Sequence, residues 1–63
     1  MMDFLITFHL QGGHKVETII KEQSLENAKN SFASSGTYQI TDIEGTYCVF
    51  HSRDIILRKV KKY

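Results

Sequence analysis

The chain has 63 residues, 41% of them hydrophobic and 24% charged, with a formal net charge of +1. That composition is globular and not disordered, and a chain this short buries only roughly 60% of its unfolded surface, leaving room for one modest core. Cys48 is the only cysteine, which excludes an internal disulfide and points to a reducing cytosol, and no run approaches the ~20 apolar residues of a membrane span.

The opening Met1-Met2-Asp3-Phe4-Leu5-Ile6 carries an acid where a secretion signal carries bases, so it reads as the start of a strand. Phe4, Ile6, Phe8 and Leu10 alternate with Leu5, Thr7, His9 and Gln11, and Gly12-Gly13 interrupts them. Val16, Thr18 and Ile20 resume the alternation. Pairing Leu10 with Val16, Phe8 with Thr18 and Ile6 with Ile20 collects the apolar residues on one face, with Gly12-Gly13-His14 as the loop. Ser24 is a suitable N-cap, Glu26 suits the positive end of the helix dipole, and Gly36 suits a C-terminal stop. The spacing predicts a helix over 24–35 with Leu25, Ala28 and Phe32 as its inner stripe. Strands over 37–43 and 46–51 follow, joined at Glu44-Gly45 so that Ile40 faces Val49 and Tyr38 faces His51. Ile55 to Val60 reads as a fifth strand whose lysines blunt a sheet edge. The expected fold is a single α+β domain over 1–63, of order β-β-α-β-β-β. One helix packs on one face of its antiparallel sheet, and Phe8, Ile20, Phe32 and Ile40 are central.

A helix of that length covers one face of a small sheet, yet apolar residues fall on both. In this reading Leu5 and Ile19 oppose Phe8 and Ile20, while Cys48 and Phe50 oppose Ile40 and Val49. Half-shielded surface residues account for such a pattern, and so does a second copy of the chain. The expectation is a homodimer whose interface is lined by Leu5, Ile19, Cys48 and Phe50.

Catalytic and metal-binding patterns are missing. His9, His14, His51 and Cys48 are the candidate nucleophiles, bases and soft ligands; Cys48 and His51 point to opposite sides of a strand, and no CxxC or HxxxH spacing occurs. Gly12-Gly13 runs into a strand instead of a helix, so it is not a phosphate loop. The chain therefore reads as a non-enzyme with no metal or cofactor. Charge is the stronger surface signal. Residues 53–63 hold Arg53, Arg58, Lys59, Lys61 and Lys62 against Asp54, a balance of +4, while the remainder sums to −3. With Tyr63 these side chains form a candidate partner-binding end, and a solubilising terminus is the plainer alternative. Its ligand is an acidic protein surface or, alternatively, nucleic acid gripped through phosphates with the aromatic stacking on a base.

Leu25-Glu26-Asn27-Ala28 at the helix start, the Thr41-Asp42-x-x-Gly45 turn and Ser52-Arg53-Asp54-Ile55 at the last strand resemble segments of small proteins from phages and prophages of Gram-positive bacteria. The resemblance spans most of the chain but rests on caps, turns and core, so it carries over no functional residue. Such proteins are mostly of unknown function, and some of this size act in the host cytosol by binding and blocking a host protein, including defence systems. The combined expectation is a non-catalytic inhibitor or anti-defence protein acting by occlusion, with a nucleic-acid-binding protein as the alternative.

Overall fold

Strict alternation makes β1 (Met2–Leu10) the centre of the molecule. Its even residues Phe4, Ile6 and Phe8 are almost fully buried, while on the other side Leu5 and His9 are half-buried and Thr7 is buried. The computed structural model describes residues 1–32 and 35–63. Around β1 lie β2 (Lys15–Glu22), α1 (Leu25–Lys29), β3 (Thr37–Thr41), β4 (Tyr47–His51), a 3-10 turn at Ser52–Asp54 and β5 (Ile55–Lys62). The fold is mixed α+β, mostly strand, in the order read from the sequence.

The sheets are organised differently from that reading. Strands β2-β1-β5 form one antiparallel sheet and the β3–β4 hairpin a second. The core lies between them: Ile6, Phe8 and Val16 from the first sheet meet Tyr38, Ile40 and Phe50 from the hairpin. Phe8 is the hub. Its ring meets Phe32 and Tyr38 edge-on at 5.4 and 5.5 Å and lies 5.5 Å from Phe50, where tilted contacts suit the ring quadrupoles. Each such buried side chain contributes roughly 1.5–3 kcal/mol. The hairpin, with the helix, thus covers the apolar face of the larger sheet.

The first hairpin keeps the expected faces but not the expected register. Phe8 faces Val16, Ile6 faces Thr18 and Phe4 faces Ile20, two residues away from the reading above. A shift of two leaves every side chain on the same face, so burial cannot choose between these registers. The loop chooses. Leu10 N–H donates to His14 O at 2.8 Å, and Gly12 and Gly13 take φ of 87° and 84°, closing the chain over Gln11-Gly12-Gly13.

In the second hairpin the slip is a single residue, and the faces invert. Ile40 faces Cys48 and Tyr38 faces Phe50. Asp42 dictates this: its Oδ1 accepts from Glu44 N at 2.9 Å and Thr46 N at 2.8 Å, while Asp42 N donates to Thr46 O. That Asx arrangement makes a three-residue loop with Gly45 at φ 86°, not a two-residue turn. Phe50, expected at a dimer contact, therefore turns into the core at 9% exposure, and Cys48 packs against the same core. Val49, expected inside, is exposed.

The helix is also shorter than expected. Ser24 caps it as read, accepting from Asn27 N at 3.1 Å, and Ala28 is buried. It ends at Lys29 because Asn30 and Ser31 turn their side chains back onto helix carbonyls: Asn30 Nδ2 to Glu26 O at 3.1 Å, and Ser31 Oγ to Asn27 O at 2.9 Å. Positions 33 and 34 of the expected helix lie outside the described residues. Phe32 still packs on the core although it lies beyond the helix, while Leu25 is half exposed. Gly36 serves the 3-10 turn instead of the helix, exchanging hydrogen bonds with Ser52 at 3.0 and 2.8 Å.

Candidate functional site

β5 is an edge strand, hydrogen-bonded to β1 on one side and without a strand beside it on the other among the described residues. Tyr63 N donates to Asp3 O, so the odd residues of β1 turn their backbone groups toward β5. Leu57, Lys59 and Lys61 pair with them, opposite His9, Thr7 and Leu5. Backbone N–H and C=O groups alternate in direction along an antiparallel ladder. Those of Arg58, Val60 and Lys62 therefore point outward, away from β1. The other edge is better closed: Ile43 N donates to Glu17 O at 2.9 Å, and Thr18 Oγ1 donates to Thr41 O at 3.3 Å. A bulge at the start of β5, where Leu10 faces Ile55 but His9 faces Leu57, leaves Ile56 and Leu57 67% and 48% exposed.

Side chains of β5 sort onto two faces. Lys59 and Lys61 stand on the open face of the three-stranded sheet, beside Leu5 and Thr7. A shallow depression there is lined by Leu5, Thr7, His9, Glu17, Lys59 and Lys61. The ion pairs among the described residues, Lys21–Asp3 at 3.0 Å, Lys15–Glu17 at 3.8 Å and Lys29–Glu26 at 3.3 Å, engage no cation of β5. On the helix side Met2, Phe4, Leu25 and Val60 line a second, largely apolar groove that Lys61 and Lys62 complete.

The residues expected at the basic end are thus dispersed. Lys59 and Lys61 share the open face, Lys62 borders the groove, and Tyr63 is exposed beyond the strand. Arg53 sits on the 3-10 turn. Arg58 is no free cation. Its guanidinium donates to Tyr38 Oη at 2.7 Å and lies 5.5 Å from the Phe8 ring centroid and 6.0 Å from that of Tyr38, tying β5 to the hairpin. Of the expected interface residues, Leu5 and Ile19 are cross-strand partners on the open face, whereas Cys48 and Phe50 belong to the other sheet. The sequence reading missed the apolar groove and the exposed Ile56-Leu57 pair. Three consecutive apolar residues, Ile55-Ile56-Leu57, were the available sign of a broken alternation.

Chemistry around the other candidates is sparse. Among the described residues no three His, Cys, Asp or Glu side chains converge as a metal ion requires. The Cys48 thiol lies 3.9 Å from Asp42 Oδ2, and partial burial together with that carboxylate raises its pKa. His51 accepts a hydrogen bond at Nδ1 from Arg53 N at 3.1 Å, capping the 3-10 turn. Among the described aromatics, Phe4, Phe8, Tyr38 and Phe50 are buried and Phe32 packs on the core, while Tyr47 and Tyr63 are exposed. No described helix is long and apolar enough to cross a membrane. Comparison with protein-family models, curated proteins and solved structures finds no match to this chain.

Proposed function

We propose that this chain is a non-catalytic binding domain that acts by covering part of a partner protein. The observation that carries this reading is the β5 edge, where unpaired backbone groups, the exposed Ile56 and Leu57 and the cations Lys59 and Lys61 lie together. Interfaces gain affinity from apolar anchors and selectivity from charge at their rims, and this edge offers both. The resemblance to phage proteins supports a host protein in the host cytosol as the partner, with inhibition or anti-defence activity as the outcome. Leu5 and Ile19 on the open face are the residues through which two copies meet if the chain dimerises.

Nucleic acid is the second reading, favoured by the unpaired Lys59 and Lys61. It ranks lower because the strands of the open face carry no Phe, Tyr or Trp, leaving the exposed Tyr63 just beyond β5 as the tyrosine beside Lys61, and Arg58 is committed to Tyr38 and Phe8. Two measurements test the ranking. Capture from host extract before and after nuclease treatment should retain the same protein. Titration of random-sequence DNA and RNA at physiological ionic strength should show no submicromolar binding. Loss of the captured protein on nuclease treatment, or submicromolar nucleic-acid binding that collapses with salt, overturns the protein-partner reading.

A further inference from the structure

Resting on the reading of a protein partner, we infer that β5 accepts one extended segment of that partner as a fourth strand, and that this segment alternates acidic with apolar residues. Edge strands with free amides and carbonyls are templates for such addition: the main chain supplies the bonding, and pockets for alternate side chains supply the selectivity. Both halves of that recognition are present along β5. The outward backbone groups of Arg58, Val60 and Lys62 provide the ladder.

Side-chain alternation then fixes the ligand's pattern. A strand added beside β5 sends one set of side chains to the open face, next to Lys59 and Lys61, and the other to the helix side, next to Val60. Carboxylates match the first set. Apolar side chains match the second beside Val60, where Met2, Phe4, Leu25 and Val60 line a largely apolar groove that Lys61 and Lys62 border. The same charges disfavour a second copy of this chain as the occupant. From Ile55 to Lys62 the strand holds Arg58, Lys59, Lys61 and Lys62 and no acid, so β5 laid against β5 sets cation against cation.

A capped synthetic peptide alternating glutamate with valine is the probe, titrated against the full chain labelled for amide NMR. Saturable binding should slow exchange at the Arg58, Val60 and Lys62 amides and weaken as salt rises. The lysine–valine counterpart should bind at least about tenfold more weakly. A glutamate–valine peptide interrupted by proline should not bind. The double variant K59E/K61E, altered only at exposed positions, should reverse the preference between the two charged peptides. Val60→Pro removes an outward amide and should abolish binding; K59E/K61E still decides the matter if that variant unfolds.

Equal binding of both charged peptides overturns the proposal, as does binding that maps to Leu5 and Ile19 without touching the β5 amides. A dimer of the free chain held through β5 overturns it too. Failure here is distinguishable from failure of the protein-partner reading. A nuclease-resistant captured protein that binds K59E/K61E and wild type alike sinks the edge proposal alone, whereas nuclease-sensitive capture sinks the broader reading.

Discussion

Phe8 touches Phe32, Tyr38 and Phe50 and carries the Arg58 guanidinium over its face, so one side chain holds both sheets together. Truncating it leaves a cavity bordered by β3, β4, β5 and Phe32. Phe8→Ala should cost about 3–5 kcal/mol, a large part of the stability of so small a domain. Urea unfolding followed by circular dichroism should then show a lost or strongly shifted transition; a midpoint near wild type would contradict the hub role. Asp42 matters for a different reason. Partial burial and, after it, the Asp42 carboxylate beside the Cys48 thiol raise the thiol pKa, so the reactive thiolate is scarcer at neutral pH than for an ordinary cysteine. Asp42→Asn removes the charge but keeps an oxygen for the turn amides. Iodoacetamide should therefore modify the variant faster at neutral pH, and an unchanged rate would refute the electrostatic account. Phe8 and Ile40 were legible as core residues from alternation alone. Phe50 was not, because its face depends on a turn whose length Asp42 sets through two backbone hydrogen bonds.

At the scale of elements, strand existence followed from apolar alternation, while pairing followed from loops. In β1–β2 the sequence identified the buried face correctly, since parity is what burial selects. The two-residue shift within that parity is decided by Gly12 and Gly13, both at positive φ, and by the Leu10–His14 closure. In β3–β4 the Glu44-Gly45 pair suggested a tighter turn than Asp42 allows. The helix start was legible through Ser24, but its end was obscured because Phe32 continues the apolar spacing after Asn30 and Ser31 have closed the helix. Two substitutions test the second hairpin. Gly45→Ala meets no neighbouring atom and should cost about 1 kcal/mol from backbone conformation alone. Asp42→Ala leaves two turn amides without their side-chain acceptor and should cost about 1–2 kcal/mol. Chemical denaturation reads both, and neutrality of Asp42→Ala would mean that water or a shifted turn replaces the carboxylate.

For the whole molecule, the basic end was visible as composition, but its division into functions was not. Arg58, Lys59, Lys61 and Lys62 are nearly contiguous in sequence, yet alternation sends Lys59 and Lys61 to the open face and Arg58 toward Tyr38 and Phe8. Only the assembled fold distinguishes a cation that stabilises the protein from those available to a partner. The expectation of a dimer drew on apolar residues on two strand faces, and packing the hairpin onto the larger sheet removes Phe50 from that surface. What persists outside is the β5 edge with Ile56 and Leu57. Amide hydrogen exchange along β5 of the free chain at high micromolar concentration measures that edge most directly. Leu57, Lys59 and Lys61 should be protected through their bonds to β1, while Arg58, Val60 and Lys62 exchange at rates near those of solvated amides. Uniform protection from Leu57 to Lys62 would mean that the edge is already covered in solution, and would contradict its assignment as the partner-binding element.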